Sequence, residues 1–143
     1  MYYMVTQIEI DIITKLVLAA FLGGIIGFQR ELHGNPAGTR TQSLICMGAT
    51  LFTLLPSALI DSDPLKLAVG VVTAVGFLAA GVMFRSETTV HGLTTAAEVW
   101  VVAALGIAVG LGLYYAAIVA AILILIILGP MKMLENVPKK KRK

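Results

Sequence analysis

The sequence predicts an all-α protein, a polytopic membrane helix bundle of about five transmembrane helices. Of its 143 residues, 58% are hydrophobic and only 13% are charged, whereas soluble domains are typically about half apolar and a quarter charged. The charges gather in short clusters between long apolar runs, a pattern typical of membrane spans. A soluble domain of this composition would have too little polar surface to cover its core.

Five apolar segments approach the roughly 20 residues that a spanning helix needs. They cover residues 12–29, 41–60, 66–84, 93–110 and 112–129. Polar breaks separate the first four segments, but the break at residues 110–112 carries no charge and defines its boundary least well. We divide the chain into a transmembrane domain, residues 1–130, and a basic cytoplasmic tail, residues 131–143.

The basic residues predict an orientation in the membrane, because cytoplasmic loops carry an excess of Lys and Arg. Basic side chains occupy the first break, the third break and the C-terminal end, whereas the second break holds Asp61 and Asp63. With five spans, every basic cluster falls on one side only if the N-terminus is outside and the C-terminus is cytoplasmic. The terminal Lys/Arg run is interpreted as a lipid anchor rather than a nucleic-acid site, since no aromatic residues are interleaved with it. A site for a specific protein partner is the remaining alternative.

Small residues form stripes along the predicted helices, and such stripes favour close helix packing in lipid. We expect these stripes to direct Arg30 and Arg85 toward the bundle interior. The packing residues predicted in this way are Gly23, Gly24 and Gly27 in the first span, Gly81 in the third, and Gly106 and Gly110 in the fourth.

Two stretches of the chain resemble one another. The residues Phe21-Leu-Gly-Gly lead to Arg30 and a new helix, and Phe77-Leu-Ala-Ala lead to Arg85 and a new helix. Because two spans separate the units, both would run in the same direction. The pattern indicates two parallel helix-hairpin repeats followed by a fifth helix, with chance similarity in a Gly/Ala-rich chain as the alternative.

No catalytic arrangement is evident, so the sequence predicts neither an enzyme nor a cofactor, and it leaves a metal site undetermined. The charged residues at the predicted cytoplasmic end form one candidate ionic cluster of Arg30, Glu31, Arg40 and Arg85. One interpretation is a network that locks the hairpins together, and the other is an anion or headgroup site. Threonines near the starts of the second and fourth helices are candidate N-caps.

Glu98 lies inside the fourth predicted span. An ionisable residue there is costly and indicates function by default, so Glu98, Thr94 and Thr95 form a candidate intramembrane site. The structural alternatives are a protonated glutamic acid or a pair with an arginine from the ionic cluster.

Three ordered stretches make the chain similar to the MgtC/SapB family: Gly24-Ile-Ile-Gly27-Phe-Gln-Arg30-Glu31 through Thr41, Gly76-Phe-Leu-Ala-Ala-Gly81, and Gly92-Leu-Thr-Thr-Ala-Ala97 running on to Gly110. The resemblance implies a small prokaryotic membrane protein linked to adaptation to low magnesium and to regulation of other membrane machinery. The chain departs from the family pattern at Thr94, where the magnesium-linked branch has asparagine, and at Glu98, where a small or uncharged residue is usual.

Three functions remain open at this point. The first is a non-enzymatic membrane protein of ion homeostasis, including magnesium, that regulates other membrane proteins. The second is a small oligomeric cation transporter or channel with Glu98 in its path, and the third binds anions or lipid headgroups at the arginine cluster. The expected partners are the lipid bilayer, other membrane proteins and a second copy of the chain, with a dimer favoured, but no nucleic acid.

Overall fold

A computed structural model describes residues 2–59, 64–85 and 90–130 of the chain. This part of the chain forms five α-helices, which confirms the predicted all-α bundle, and adds a two-residue antiparallel ribbon that was not predicted. The elements in order are α1 (Tyr2–Leu32), α2 (Thr39–Leu59), α3 (Pro64–Gly81), β1 (Phe84–Arg85), β2 (Val90–His91), α4 (Leu93–Gly110) and α5 (Tyr114–Leu128).

The predicted spans and the observed helices agree best at α4, whose bounds coincide with the predicted segment. Helix α1 begins at Tyr2, well before the predicted apolar segment, because a helix can continue beyond the part that is apolar enough to lie in lipid. The predicted second break at 61–63 and the predicted basic tail at 131–143 lie outside the described residues.

The uncharged break between α4 and α5 is a tight turn centred on Gly112. Its backbone has a φ of 77°, a left-handed conformation that glycine adopts readily. The Gly112 N–H donates to the Val109 carbonyl at 3.0 Å and the Leu113 N–H to the Ala108 carbonyl at 2.9 Å, which is the Schellman pattern of a helix C-terminus. The same pattern ends α1 at Gly34.

Helices α1 and α2 pack as an antiparallel hairpin through glycines of α1. A Cβ atom built on Gly27 would lie 2.6 Å from the Gly38 carbonyl oxygen, at the start of α2. Further from this end, the Ser43 hydroxyl donates to the Ala20 carbonyl at 3.0 Å. Positions later in α2 therefore contact positions earlier in α1, so the two helices are antiparallel.

Helices α2 and α4 run parallel to each other. Gln42, near the start of α2, contacts Glu98, near the start of α4, and Thr53, further along α2, contacts Gly110 at the end of α4. Between them the Thr50 hydroxyl donates to the Gly106 carbonyl at 2.8 Å. This shared direction is the arrangement that two parallel hairpin repeats require.

Helix α5 runs parallel to α1. Near its start, the Tyr114 hydroxyl lies 3.5 Å from an Asp11 carboxylate oxygen, and just beyond its end Gly129 lies close to Gln29. Helix α4 contacts all four other helices and is the centre of the bundle. Two apolar clusters form on its sides, one shared with α1, α2 and α5 and the other with α2 and α3.

Most of the predicted packing glycines lie at close helix contacts. A Cβ atom on Gly23 would come within 2.5 Å of the Gln42 carbonyl oxygen, and one on Gly110 within 2.7 Å of the Thr53 Cβ atom. On Gly106 it would collide with the Cys46 carbonyl oxygen, and on Gly24 it would meet the Ser43 hydroxyl at 3.0 Å.

Gly81 is the exception, and its predicted packing role is wrong. It is exposed, and no described atom lies within 4 Å of a Cβ atom built on it. The reason is that α3 contacts its neighbours through Val71, Val75 and Ala79, and Gly81 lies outside this face.

The outer surface of the bundle is strongly apolar. Large exposed side chains include Val17 and Phe21 on α1, Phe77 on α3 and Ile127 on α5, an arrangement that soluble monomers rarely show. Among the described residues, the helical segments Thr6–Leu32 and Leu93–Gly110 are long and apolar enough to cross a membrane, and Ala68–Gly81 and Tyr114–Leu128 are shorter apolar helices.

We predict that Gly106→Ala destabilises the bundle, because the new methyl group would collide with the backbone of α2. Overpacking of this kind costs about 1–3 kcal/mol. The matched control is Gly76→Ala on α3, where no described atom lies within 4 Å of the added group and the substitution should be tolerated. Thermal unfolding in detergent measures both, and equal midpoints for the two variants would contradict the α2–α4 contact.

Candidate functional site

The most polar part of the described interior is an ion pair between α1 and α4. The Arg30 Nε atom lies 2.6 Å from Glu98 Oε2, and the two side chains are only 6% and 0% exposed. The contact is close, but its angle does not meet hydrogen-bond geometry, so its attraction is that of two opposite charges. The pair thus neutralises two charges that are buried between helices.

Two further side chains complete this cluster. The Gln42 amide nitrogen on α2 donates to Glu98 Oε1 at 3.0 Å, and Arg30 Nη2 donates to the Thr95 hydroxyl on α4 at 2.7 Å. Gln42 and Thr95 are both buried. We call Arg30, Gln42, Thr95 and Glu98 the buried polar cluster, and it joins α1, α2 and α4.

The helix ends explain why these residue types meet. Arg30 lies in the last turn of α1, where the helix dipole favours a cation, and Glu98 lies in the second turn of α4. Thr95 and Glu98 are three residues apart and therefore share one face of α4. Gly27, one turn before Arg30, lets the start of α2 approach α1 and brings Gln42 within reach.

The cluster lies near one end of the bundle rather than at its middle. Glu98 follows the first residue of α4, Leu93, by five positions, which is about 7 Å along a helix at the usual rise. At this depth the full cost of an isolated charge is high, on the order of several kcal/mol for each ion. Pairing with Arg30 offsets part of this cost for Glu98.

The predicted ionic cluster of Arg30, Glu31, Arg40 and Arg85 does not form as one unit. Glu31 is exposed and accepts hydrogen bonds at the start of α2, from the Thr39 hydroxyl at 2.8 Å and its N–H at 3.2 Å. Arg40 is exposed, and the Arg85 side chain lies outside the described side chains. Successive residues point about 100° apart on a helix, which is why Arg30 turns inward and Glu31 does not.

The structure corrects two expectations about the threonines. Thr94 is exposed and does not belong to the buried polar cluster, whereas Thr95 does. The N-cap of α4 is Gly92, with a φ of 82° and without a side-chain hydrogen bond, so neither threonine caps this helix. The left-handed turn at Gly92 lets the chain pass close to the Val82 carbonyl, where a Cβ atom would collide.

The sequence did not decide which arginine pairs with Glu98, and Gln42 was not predicted to belong to the site. The structure confirms the alternative in which Glu98 pairs with an arginine, and identifies it as Arg30. The signal for Gln42 was available, because an amide inside a predicted span needs a polar partner just as a carboxylate does. The mid-helix bond from Thr50 to the Gly106 carbonyl was likewise not predicted.

The part of the chain that the structure describes has no evident metal-binding site. Within residues 2–59, 64–85 and 90–130, no group of three or more His, Cys, Asp or Glu side chains is placed to hold a metal ion. The buried carboxylate, Glu98, is engaged on both oxygens, by Gln42 and by Arg30.

A helix bundle whose exterior is this apolar is typical of an integral membrane protein. The sequence model of the MgtC family matches residues 16–137, and the chain belongs to that family, which confirms the resemblance seen in its motifs.

Three relatives illustrate the similarity. YhiD of Escherichia coli K12 is 39% identical over 127 residues, covering 82% of this chain and 59% of YhiD. MgtC of Brucella abortus 2308 is 42% identical over 108 residues, covering 75% and 45%. MgtC of Salmonella typhimurium 14028s is 39% identical over 113 residues, covering 79% and 49%.

The chain spans about half the length of the curated relatives that it matches. No solved structure matches it.

Proposed function

We propose that this chain is a multi-pass protein of the prokaryotic cytoplasmic membrane that acts in magnesium homeostasis through contacts with other membrane proteins, without enzymatic activity. Membership of the MgtC family supports the location and the general role. The surrounding lipid covers the exposed apolar faces, and a homodimer is the favoured oligomer.

The observation that carries the regulatory interpretation is the engagement of Glu98. Magnesium binds through carboxylates and keeps much of its water, and Glu98 is the carboxylate that lies well inside the sequence-predicted spans. Its Oε1 atom accepts a hydrogen bond from Gln42, and its Oε2 atom lies in ion-pair contact with Arg30. A role as a cation ligand would require breaking the ion pair between α1 and α4.

The transporter remains the second candidate, and a relative's name favours it: the E. coli protein is called "Putative magnesium transporter YhiD". In this alternative, an oligomer brings several Glu98 side chains to a common path. Each protomer would then have to release Glu98 from Arg30 before a cation could bind.

The helix directions support a bundle whose successive spans alternate in direction. Helices α1 and α5 run one way and α2 and α4 the other, as odd and even spans must. On α1, Asp11 forms an ion pair with Lys15 at 2.7 Å. Arg30 follows Asp11 by 19 residues. That interval is about 28 Å of helix, close to the thickness of a bilayer core of roughly 30 Å.

We predict the orientation that places the C-terminus in the cytoplasm. A green fluorescent protein fused after residue 143 should fluoresce, and alkaline phosphatase fused at the same point should be inactive. As a matched control, both reporters fused after residue 61, in the predicted outer loop, should give the reverse result. Phosphatase activity at the C-terminal fusion would contradict the five-span orientation.

We further predict that the purified protein in liposomes does not raise magnesium uptake above that of empty liposomes, because Glu98 is held by Arg30 and Gln42. The Glu98→Gln variant, shown to be folded and inserted, should behave like the wild type. Uptake by the wild type that this substitution abolishes would instead establish the transporter and reject the regulatory proposal.

A further inference from the structure

Gln42 carries a buried oxygen that lacks a hydrogen-bond partner. The side chain is 0% exposed and its amide nitrogen donates to Glu98, but Oε1 has no partner among the described protein groups. Leaving a buried acceptor without a donor costs about 1–3 kcal/mol, and native structures rarely leave such groups unpaired. A donor is therefore needed at this oxygen.

The orientation of the Gln42 amide follows from the charge of Glu98. Exchanging its nitrogen and oxygen would set the carbonyl oxygen against an ionised carboxylate, which can only accept hydrogen bonds. The Arg30 guanidinium group, 2.6 Å from Glu98 Oε2, favours the ionised form of this carboxylate. The unpartnered oxygen of Gln42 is consequently the atom turned away from Glu98.

The charge and hydrogen-bonding capacity of the cluster define the chemistry of the missing partner. One cation and one anion, Arg30 and Glu98, leave the cluster neutral overall. A metal ion would lie beside a guanidinium group, and an anion would lie beside a carboxylate. Arg30 Nε and Glu98 Oε2 also lack well-formed hydrogen bonds, so the partner must both donate and accept.

We propose that the buried polar cluster binds a water molecule, which donates to Gln42 Oε1 and makes its other hydrogen bonds to the Arg30–Glu98 pair. Buried waters typically make about three hydrogen bonds to groups that are otherwise unsatisfied, and this cluster offers three such atoms. The adjacent end of the bundle carries the exposed Thr94, next to the buried Thr95. The site does not depend on the proposed regulatory function.

A crystal structure of the full chain, grown from a lipidic mesophase and resolving ordered waters, tests this site. The expected result is a solvent peak about 2.5–3.0 Å from Gln42 Oε1. Gln42→Met keeps a similar shape without the strong acceptor, so the peak should be lost. A map without a solvent peak, with Gln42 Oε1 accepting directly from a protein donor, would overturn the proposal.

Infrared difference spectra of the wild type and Glu98→Gln provide a second readout that needs no Gln42 variant. The expected difference is an ionised carboxylate band. A protonated carboxylic acid band would overturn the site as described, because an acidic Glu98 could itself donate to Gln42 Oε1 after a flip of the amide.

Discussion

The buried contact between Arg30 and Glu98 is the constraint on which the rest of the bundle depends. Two charges buried between helices are unfavourable unless they neutralise one another, so the end of α1 must meet the beginning of α4. That meeting orients α4, the helix that every other helix contacts. Gln42 then ties α2 to the same point, and three helices share one polar junction.

The glycines make this junction possible. Apolar burial gives little attraction between helices in lipid, so association depends on close packing and on interhelical hydrogen bonds. At Gly23 and Gly27 the start of α2 lies directly against α1, and at Gly106 the middle of α2 lies against α4. With the backbones this close, the Gln42 side chain can reach Glu98 and the Thr50 hydroxyl can reach a carbonyl of α4.

Sequence reasoning predicted the features that depend on composition and local chemistry. The bounds of α4 were found because Gly92 and Gly110 enclose one apolar run. Gly106 and Gly81 were indistinguishable at that stage, since a stripe shows which residues are small but not whether a neighbour lies opposite. The structure separates them, because α2 lies against Gly106 and the described residues leave Gly81 open.

The partner of Glu98 could be narrowed to the arginines at one end of the bundle but not chosen among them. Which arginine pairs with Glu98 depends on the direction in which each side chain leaves its helix. It also depends on the contact between α1 and α4, two helices that are far apart in sequence. Gln42 was not predicted because the sequence interpretation considered charged residues inside the spans and not amides. A buried amide also needs a hydrogen-bond partner. Tertiary packing, rather than local pattern, therefore decided the composition of the site.

The most direct test of this account is a double-mutant cycle on Arg30→Gln and Glu98→Gln, with free energies of unfolding measured in mixed detergent micelles. The account predicts that each single variant loses about 3–5 kcal/mol, because it leaves one buried charge unpaired. The double variant should lose much less than the sum of the two. Strictly additive losses would show that the two side chains do not interact, and would contradict the junction between α1 and α4.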